Sequence, residues 1–82
     1  MKKIWKESEK LQELFQTYKS MANSEYALSQ ELEKKKWDEE LIEAFIIFVR
    51  WNILPSARIP DWKYEESKEI LERFGYMTSS SY

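Results

Sequence analysis

The chain has 82 residues and a formal net charge of −2, and it contains neither cysteine nor histidine. Without cysteine the protein has no disulfide, no thiolate metal site and no thiol nucleophile. Without histidine it lacks the usual general base and the commonest metal ligand. The balance of 13 basic and 15 acidic residues is also not the strongly basic composition of a typical nucleic-acid-binding domain.

The first predicted helix covers residues 3–22. Its apolar side chains recur at helical spacing, and no glycine or proline interrupts them. The opposite face carries lysines mixed with glutamates, which indicates a helix that packs on a protein core rather than on a membrane. The apolar positions are Ile4, Leu11, Phe15, Tyr18 and Ala22, with Trp5, Leu14 and Met21 widening the stripe.

The second predicted helix follows a break at Asn23 and Ser24 and runs to about Lys35. Either of the two residues before it can cap it, because both side chains accept hydrogen bonds from amides at a helix N-terminus. The helix ends in a cluster of lysines, Lys34, Lys35 and Lys36, which suits the negative end of the helix dipole. The same three lysines are the candidate phosphate contacts if the protein binds a nucleic acid.

The third predicted helix, over about residues 38–54, contains the densest apolar run, Leu41–Leu54. Only Glu43, Arg50 and Asn52 interrupt this run. The seven-residue spacing of Glu43 and Arg50 puts both on one helix face. The run is too short to cross a bilayer, which takes about 20 residues. We therefore expect a central, nearly fully apolar helix with one face open to water.

The junction between the second and third helices leaves two alternatives open. Residues 24–54 keep one heptad register, which would suit a single long helix. Polar residues interrupt that register at the junction, and Asp38 with the two acidic residues after it is typical of a new helix N-terminus. We favour a break near residues 36–38, with Trp37 as the apolar residue that precedes the cap.

Two prolines predict the end of the third helix and a rigid connector over residues 55–60. Asp61 is expected to cap a fourth helix of about residues 62–74. Gly75 is the only glycine in the chain, and it stands where the end of a helix takes up the left-handed conformation.

The predicted fold is all-α, a compact bundle of three to four helices. We expect a single helical domain over residues 1–77 and a flexible tail over residues 78–82. The basic N-terminal residues are followed by polar ones rather than by the apolar run of a signal peptide. Together with the lack of cysteine, this pattern predicts a cytoplasmic protein.

No catalytic, cofactor or metal site is predicted. Glutamates share helix faces, as at Glu39 with Glu43 and at Glu65 with Glu69, but nothing in the sequence would bury and tune one member of each pair. A helical di-iron site needs histidine, and the chain has no calcium loop, glycine-rich phosphate loop or nucleophile elbow. We therefore expect a protein that is not an enzyme.

Aromatic residues make up 16% of the chain, which is more than one small core needs. Such a surplus is typical of a protein-binding surface, although for any single tryptophan a place in the core is an equal alternative. The connector is expected to lie on the surface. The candidate partner-binding residues are Trp37, Arg58, Ile59, Trp62 and Lys63.

The leading hypothesis is a small non-enzymatic module that docks on a larger protein. It would act as an inhibitor, an immunity-type factor or an accessory regulator, with a virus or mobile element as a suggested source. A nucleic-acid-associated regulator that uses Lys34–Lys36 ranks lower, because the fourth helix balances its basic residues with glutamates. A structural or homo-oligomeric subunit is the third alternative. We expect neither a membrane partner nor a cofactor.

Overall fold

The computed structural model describes residues 3–81 and contains, over that range, four α-helices and one two-stranded sheet. Short 3-10 turns follow the first and third helices. The predicted helical bundle is therefore confirmed, and a strand pair is added to it. The elements are β1 (Lys3–Glu7), α1 (Glu9–Tyr18), α2 (Glu25–Lys34), α3 (Glu39–Ile53), α4 (Asp61–Arg73) and β2 (Met77–Ser81).

The strand pair corrects two expectations. The first helix begins at Glu9 rather than at residue 3, and residues 78–81 belong to a strand rather than to a flexible tail. Residues 1, 2 and 82, which the predictions also covered, lie outside the described residues. The strands are antiparallel, and their paired residues are Lys3 with Ser81, Ile4 with Ser80, Trp5 with Ser79, Lys6 with Thr78 and Glu7 with Met77.

Hydrogen bonds at Ser8 explain why the helix does not start earlier. The Ser8 side chain accepts a hydrogen bond from the Leu11 amide at 3.1 Å, which caps α1. The Ser8 amide donates to the Tyr76 carbonyl at 3.0 Å, which continues the pairing of the two strands. The sheet buries Met77 and packs Trp5 against the core, so apolar side chains from both strands are removed from water.

The start of α2 decides between the two predicted caps, and its end confirms the favoured break. Ser24 is the cap, because its hydroxyl accepts a hydrogen bond from the Ala27 amide at 3.1 Å. After the helix, Lys36 adopts a left-handed φ of 60°, and α3 begins at Glu39 behind Asp38. The chain therefore breaks between α2 and α3, which lets α2 fold back against α3.

The ends of α4 confirm one prediction and correct another. Pro60 takes the N-cap position, and Asp61 lies in the first turn without capping it. The predicted Asp61 cap is wrong because the fixed φ of a proline already suits the cap position. At the other end Gly75 has a left-handed φ of 84°, and the Tyr76 amide donates to the Leu71 carbonyl at 2.9 Å. This closure is the one that a C-terminal glycine provides.

Helix α3 lies at the centre of the core. Phe45 and Phe48 are buried, and α1 meets them edge to face: the ring of Tyr18 lies 6.1 Å from Phe45 and that of Phe15 lies 5.8 Å from Phe48. Helix α4 approaches α3 closely because Ser67, which is only 1% exposed, has a small side chain. The buried apolar residues are Leu11, Ala22, Leu28, Leu32, Leu41, Ile42, Ala44, Phe45, Phe48, Val49, Leu71 and Met77.

One face of α3 is open to water, as its sequence predicts. Glu43 is exposed and Arg50 is partly exposed. The same face also carries apolar side chains, since Ile46 and Ile47 are only half-buried and Ile53 is 38% exposed. The helix is therefore less completely covered than its composition alone would suggest.

Arg50 ties α3 to the start of α2. Its Nη1 donates a hydrogen bond to the Ala22 carbonyl at 3.0 Å, and its Nε lies 3.4 Å from a carboxylate oxygen of Glu25. Hydrogen bonds from charged groups stabilise a fold by about 1.5–3 kcal/mol. Exposed ion pairs contribute less than about 1 kcal/mol.

We expect Arg50→Ala to lower the free energy of unfolding by about 1–3 kcal/mol, because the Ala22 carbonyl loses its charged donor. Glu25→Gln is the matched control and should change that free energy by less than about 1 kcal/mol. Urea denaturation measures both values. Equal losses in the two variants would contradict the importance of the Ala22 contact.

Candidate protein-binding surface

The predicted partner-binding residues do not form one surface. Trp37 packs against the rings of Phe45 and Tyr76, with a centroid distance of 5.6 Å in each case. It is half-buried and belongs to the margin of the core. Arg58 and Ile59 lie in the connector after α3, whereas Trp62 and Lys63 lie in the first turn of α4.

The connector forms a shallow depression of about 360 Å³. Its floor includes Trp51, which stacks on Tyr64 with a centroid distance of 4.3 Å and an interplanar angle of 6°. Arg58 is exposed and has a left-handed φ of 53°, which is uncommon for a residue with a side chain. The residues that line the depression are Trp51, Leu54, Pro55, Ala57, Arg58 and Ile59.

A larger surface crosses α3 from α2 to α4. It consists of three adjoining depressions of about 500, 180 and 640 Å³ that share lining residues. We call this surface the α3 groove. Its lining residues are Glu25, Tyr26, Ser29, Glu39, Glu40, Ile42, Glu43, Ala44, Ile46, Ile47, Trp62, Lys63, Glu66, Ser67, Glu69, Ile70 and Arg73.

The α3 groove contains apolar side chains from α3 and α4 and one exposed aromatic side chain in each of its two outer depressions. Ile46 and Ile47 contribute half-buried side chains from α3, and Ile70 contributes one from α4. Tyr26, in the first turn of α2, is 75% exposed, and Trp62 is 66% exposed. Apolar side chains of this kind, with large aromatic side chains left in water, are typical of protein-binding surfaces.

The charged residues of the α3 groove are mostly acidic. Six glutamates line it, against the two basic residues Lys63 and Arg73. Arg73 forms an ion pair with Glu40, so its charge is already compensated. The groove thus has an excess of four negative charges, whereas the whole chain has a formal net charge of −2.

The lysines proposed as phosphate contacts lie elsewhere. Lys34, Lys35 and Lys36 are exposed at the C-terminal end of α2 and in the turn after it, at the opposite end of that helix from Tyr26. Lys34 Nζ lies 3.0 Å from a carboxylate oxygen of Glu31. The cationic cluster and the acidic α3 groove are therefore separate parts of the surface.

Sequence reasoning identified Trp62 and Lys63 in the α3 groove but missed Tyr26 and the isoleucines of α3. Residues three and four positions apart on a helix lie on the same side of it. Glu43 was expected to face water, so this spacing could have identified Ile46 and Ile47 as its neighbours on the surface. The exposure of Tyr26 has no comparable signal in the sequence.

Comparisons of the chain with protein-family models, with curated proteins and with solved structures found no match. Between residues 3 and 81, no three His, Cys, Asp or Glu side chains lie close enough together to hold a metal ion. No helix in that range combines the length and the hydropathy needed to cross a membrane.

Tyr64, whose ring stacks on Trp51, supplies a prediction about pH. Burial raises the pKa of the Tyr64 phenol above its ordinary value of 10.0; a hydrogen bond with Asn52 opposes this shift, and the charges of Glu7 and Glu65 add to it. A pKa that is higher in the folded state stabilises the fold fully below about pH 10, and this stabilisation is lost as the pH rises through the folded value.

We expect the free energy of unfolding to fall above about pH 10 more steeply in the wild type than in Tyr64→Phe, which has no phenol to ionise. Urea denaturation across this range measures the difference between the two profiles. Subtracting the profile of Tyr64→Phe from that of the wild type removes the effect of lysine ionisation, because both proteins contain the same lysines. Parallel profiles would contradict the raised pKa.

Proposed function

We propose that this chain is a small non-enzymatic protein-binding module that docks on a larger protein through the α3 groove. The observation that carries the proposal is the exposure of Trp62, 66% of which is in contact with water in a depression that it shares with Ile70. Tryptophan is among the residue types most enriched at binding hot spots. Covering its ring and the neighbouring isoleucines would remove apolar area from water and so favour association.

The position of Trp62 supports a role in binding rather than in folding. Helix α4 is held on α3 by Ser67 and Leu71, which are buried further along the helix. Trp62 lies in the first turn, outside this contact. Tyr26 occupies the equivalent first turn of α2 and is also exposed. Both aromatic side chains are therefore available to a partner without any rearrangement of the core.

Charged residues would fix the orientation of the partner. Lys63 lines two of the three depressions of the α3 groove, whereas Arg58 lines the separate connector depression. Charges at the rim of an interface steer association and select its register more than they add affinity. An inhibitor, an immunity-type factor or an accessory regulator would act in this way, since each needs a binding surface and no chemistry.

The test is affinity capture from a lysate of the native source with wild type, Trp62→Ala and Phe74→Ala. Phe74 is the matched control, because it is an exposed aromatic residue just after α4 that does not line the groove. We expect Trp62→Ala to reduce capture of the partner by about tenfold or more, as hot-spot residues do, and Phe74→Ala to retain it. Circular dichroism checks that both variants are folded.

Two results would contradict the proposal. If all three proteins capture the same partners equally, the α3 groove is not the binding surface. If none captures a protein, and light scattering shows that the wild type self-associates whereas Trp62→Ala does not, the chain is a homo-oligomeric subunit.

A further inference from the structure

The α3 groove, if it is the docking surface, restricts the chemistry of the partner through its unpaired carboxylates. Glu25 and Glu40 are compensated by arginines. Within residues 3–81, the other groove carboxylates have no basic group within ion-pair distance, and all are exposed. These carboxylates are Glu39, Glu43, Glu66 and Glu69.

The unpaired carboxylates stand on both α3 and α4. Glu39 and Glu43 are four residues apart on α3, and Glu66 and Glu69 are three apart on α4, so each pair shares one face of its helix. The two helices pack side by side. Between them, the central depression combines carboxylates from both helices with apolar side chains and with Lys63. The surface thus mixes apolar side chains with an excess of acidic ones.

We infer that the segment of the partner that enters the α3 groove is a basic amphipathic one, an apolar stripe flanked by lysine or arginine residues. An amphipathic helix in a groove is a common mode of peptide recognition. The apolar stripe would cover the isoleucines and Trp62, and the flanking cations would compensate the four unpaired carboxylates. The inference rests on the proposed function, since it assumes that the groove is the docking surface.

The same negative charges disfavour binding of a nucleic acid, a second copy of the chain or an acidic protein in the groove. A nucleic acid would bring phosphates against these carboxylates, where like charges repel. A second copy that docked groove to groove in a twofold dimer would place two excesses of negative charge together. An acidic protein surface would meet the same repulsion. A basic amphipathic segment is the occupant that matches both the apolar and the acidic side chains of the groove.

A designed probe tests this chemistry without knowledge of the natural partner. It is a fluorescent amphipathic peptide of about 18 residues, or five helical turns, built from leucine and lysine. The comparison peptide has glutamate in place of every lysine. We expect the wild-type protein to bind the leucine–lysine peptide, with an affinity that falls as salt is added, and not to bind the leucine–glutamate peptide.

The decisive variant carries Glu39→Gln, Glu43→Gln, Glu66→Gln and Glu69→Gln. Its control carries Glu9→Gln, Glu13→Gln, Glu31→Gln and Glu33→Gln, four substitutions outside the groove that change the net charge equally. We expect the groove variant to bind the leucine–lysine peptide at least about tenfold more weakly and the control variant to bind within about threefold of wild type. If the two variants bind the peptide equally weakly, the peptide is attracted by the net charge of the protein rather than by the groove, and the inference is overturned.

Three further outcomes separate this inference from the proposed function. Binding of the leucine–glutamate peptide with similar affinity would overturn it, because the groove would then select for apolar area alone. Tighter binding of a mixed-sequence DNA duplex than of the peptide would also overturn it. If the leucine–lysine peptide fails to bind while capture from the lysate still depends on Trp62, the groove is a docking surface for a partner of different charge, and only the present inference falls.

Discussion

The fold depends on the burial of α3 between aromatic side chains that reach it from different parts of the chain. Phe45 meets Tyr18 from α1 and Trp37 from the α2–α3 junction, while Phe48 lies 6.3 Å from the ring of Tyr64 on α4. These contacts attach α1, the α2–α3 junction and α4 to α3. A small domain has few such contacts, and each one is correspondingly important.

Most of the helical architecture could be predicted because its signals are local. The apolar run of α3, the serine before α2 and Gly75 after α4 each carry information about their own neighbourhood. The strand pair could not be predicted in that way. Residues 3–7 have an apolar pattern that also suits a helix, and what makes them a strand is a partner at the other end of the chain, Met77–Ser81. Local periodicity contains no information about such a partner.

The binding surface could be predicted only in part, for a related reason. Trp62 and Lys63 were found because they follow a proline-rich connector, which had to lie on the surface. Trp37 was grouped with them on residue type, yet its ring fits between Phe45 and Tyr76. Composition shows that aromatic residues exceed the needs of a core, but it does not show which of them the core will use. The acidic character of the α3 groove likewise cannot be predicted before the positions of α3 and α4 side by side are known.

The pairing of β1 with β2 also has a consequence for how the molecule folds and opens. It closes the longest loop in the described chain, and loop closure of this kind is slow and entropically costly. We therefore expect the helices to assemble first and the strands to join last, and the same strands to separate first in local unfolding. The α3 groove is built from α2, α3 and α4 alone. Opening of the sheet would therefore leave the groove in place. The surface available to a partner does not depend on the pairing of β1 with β2.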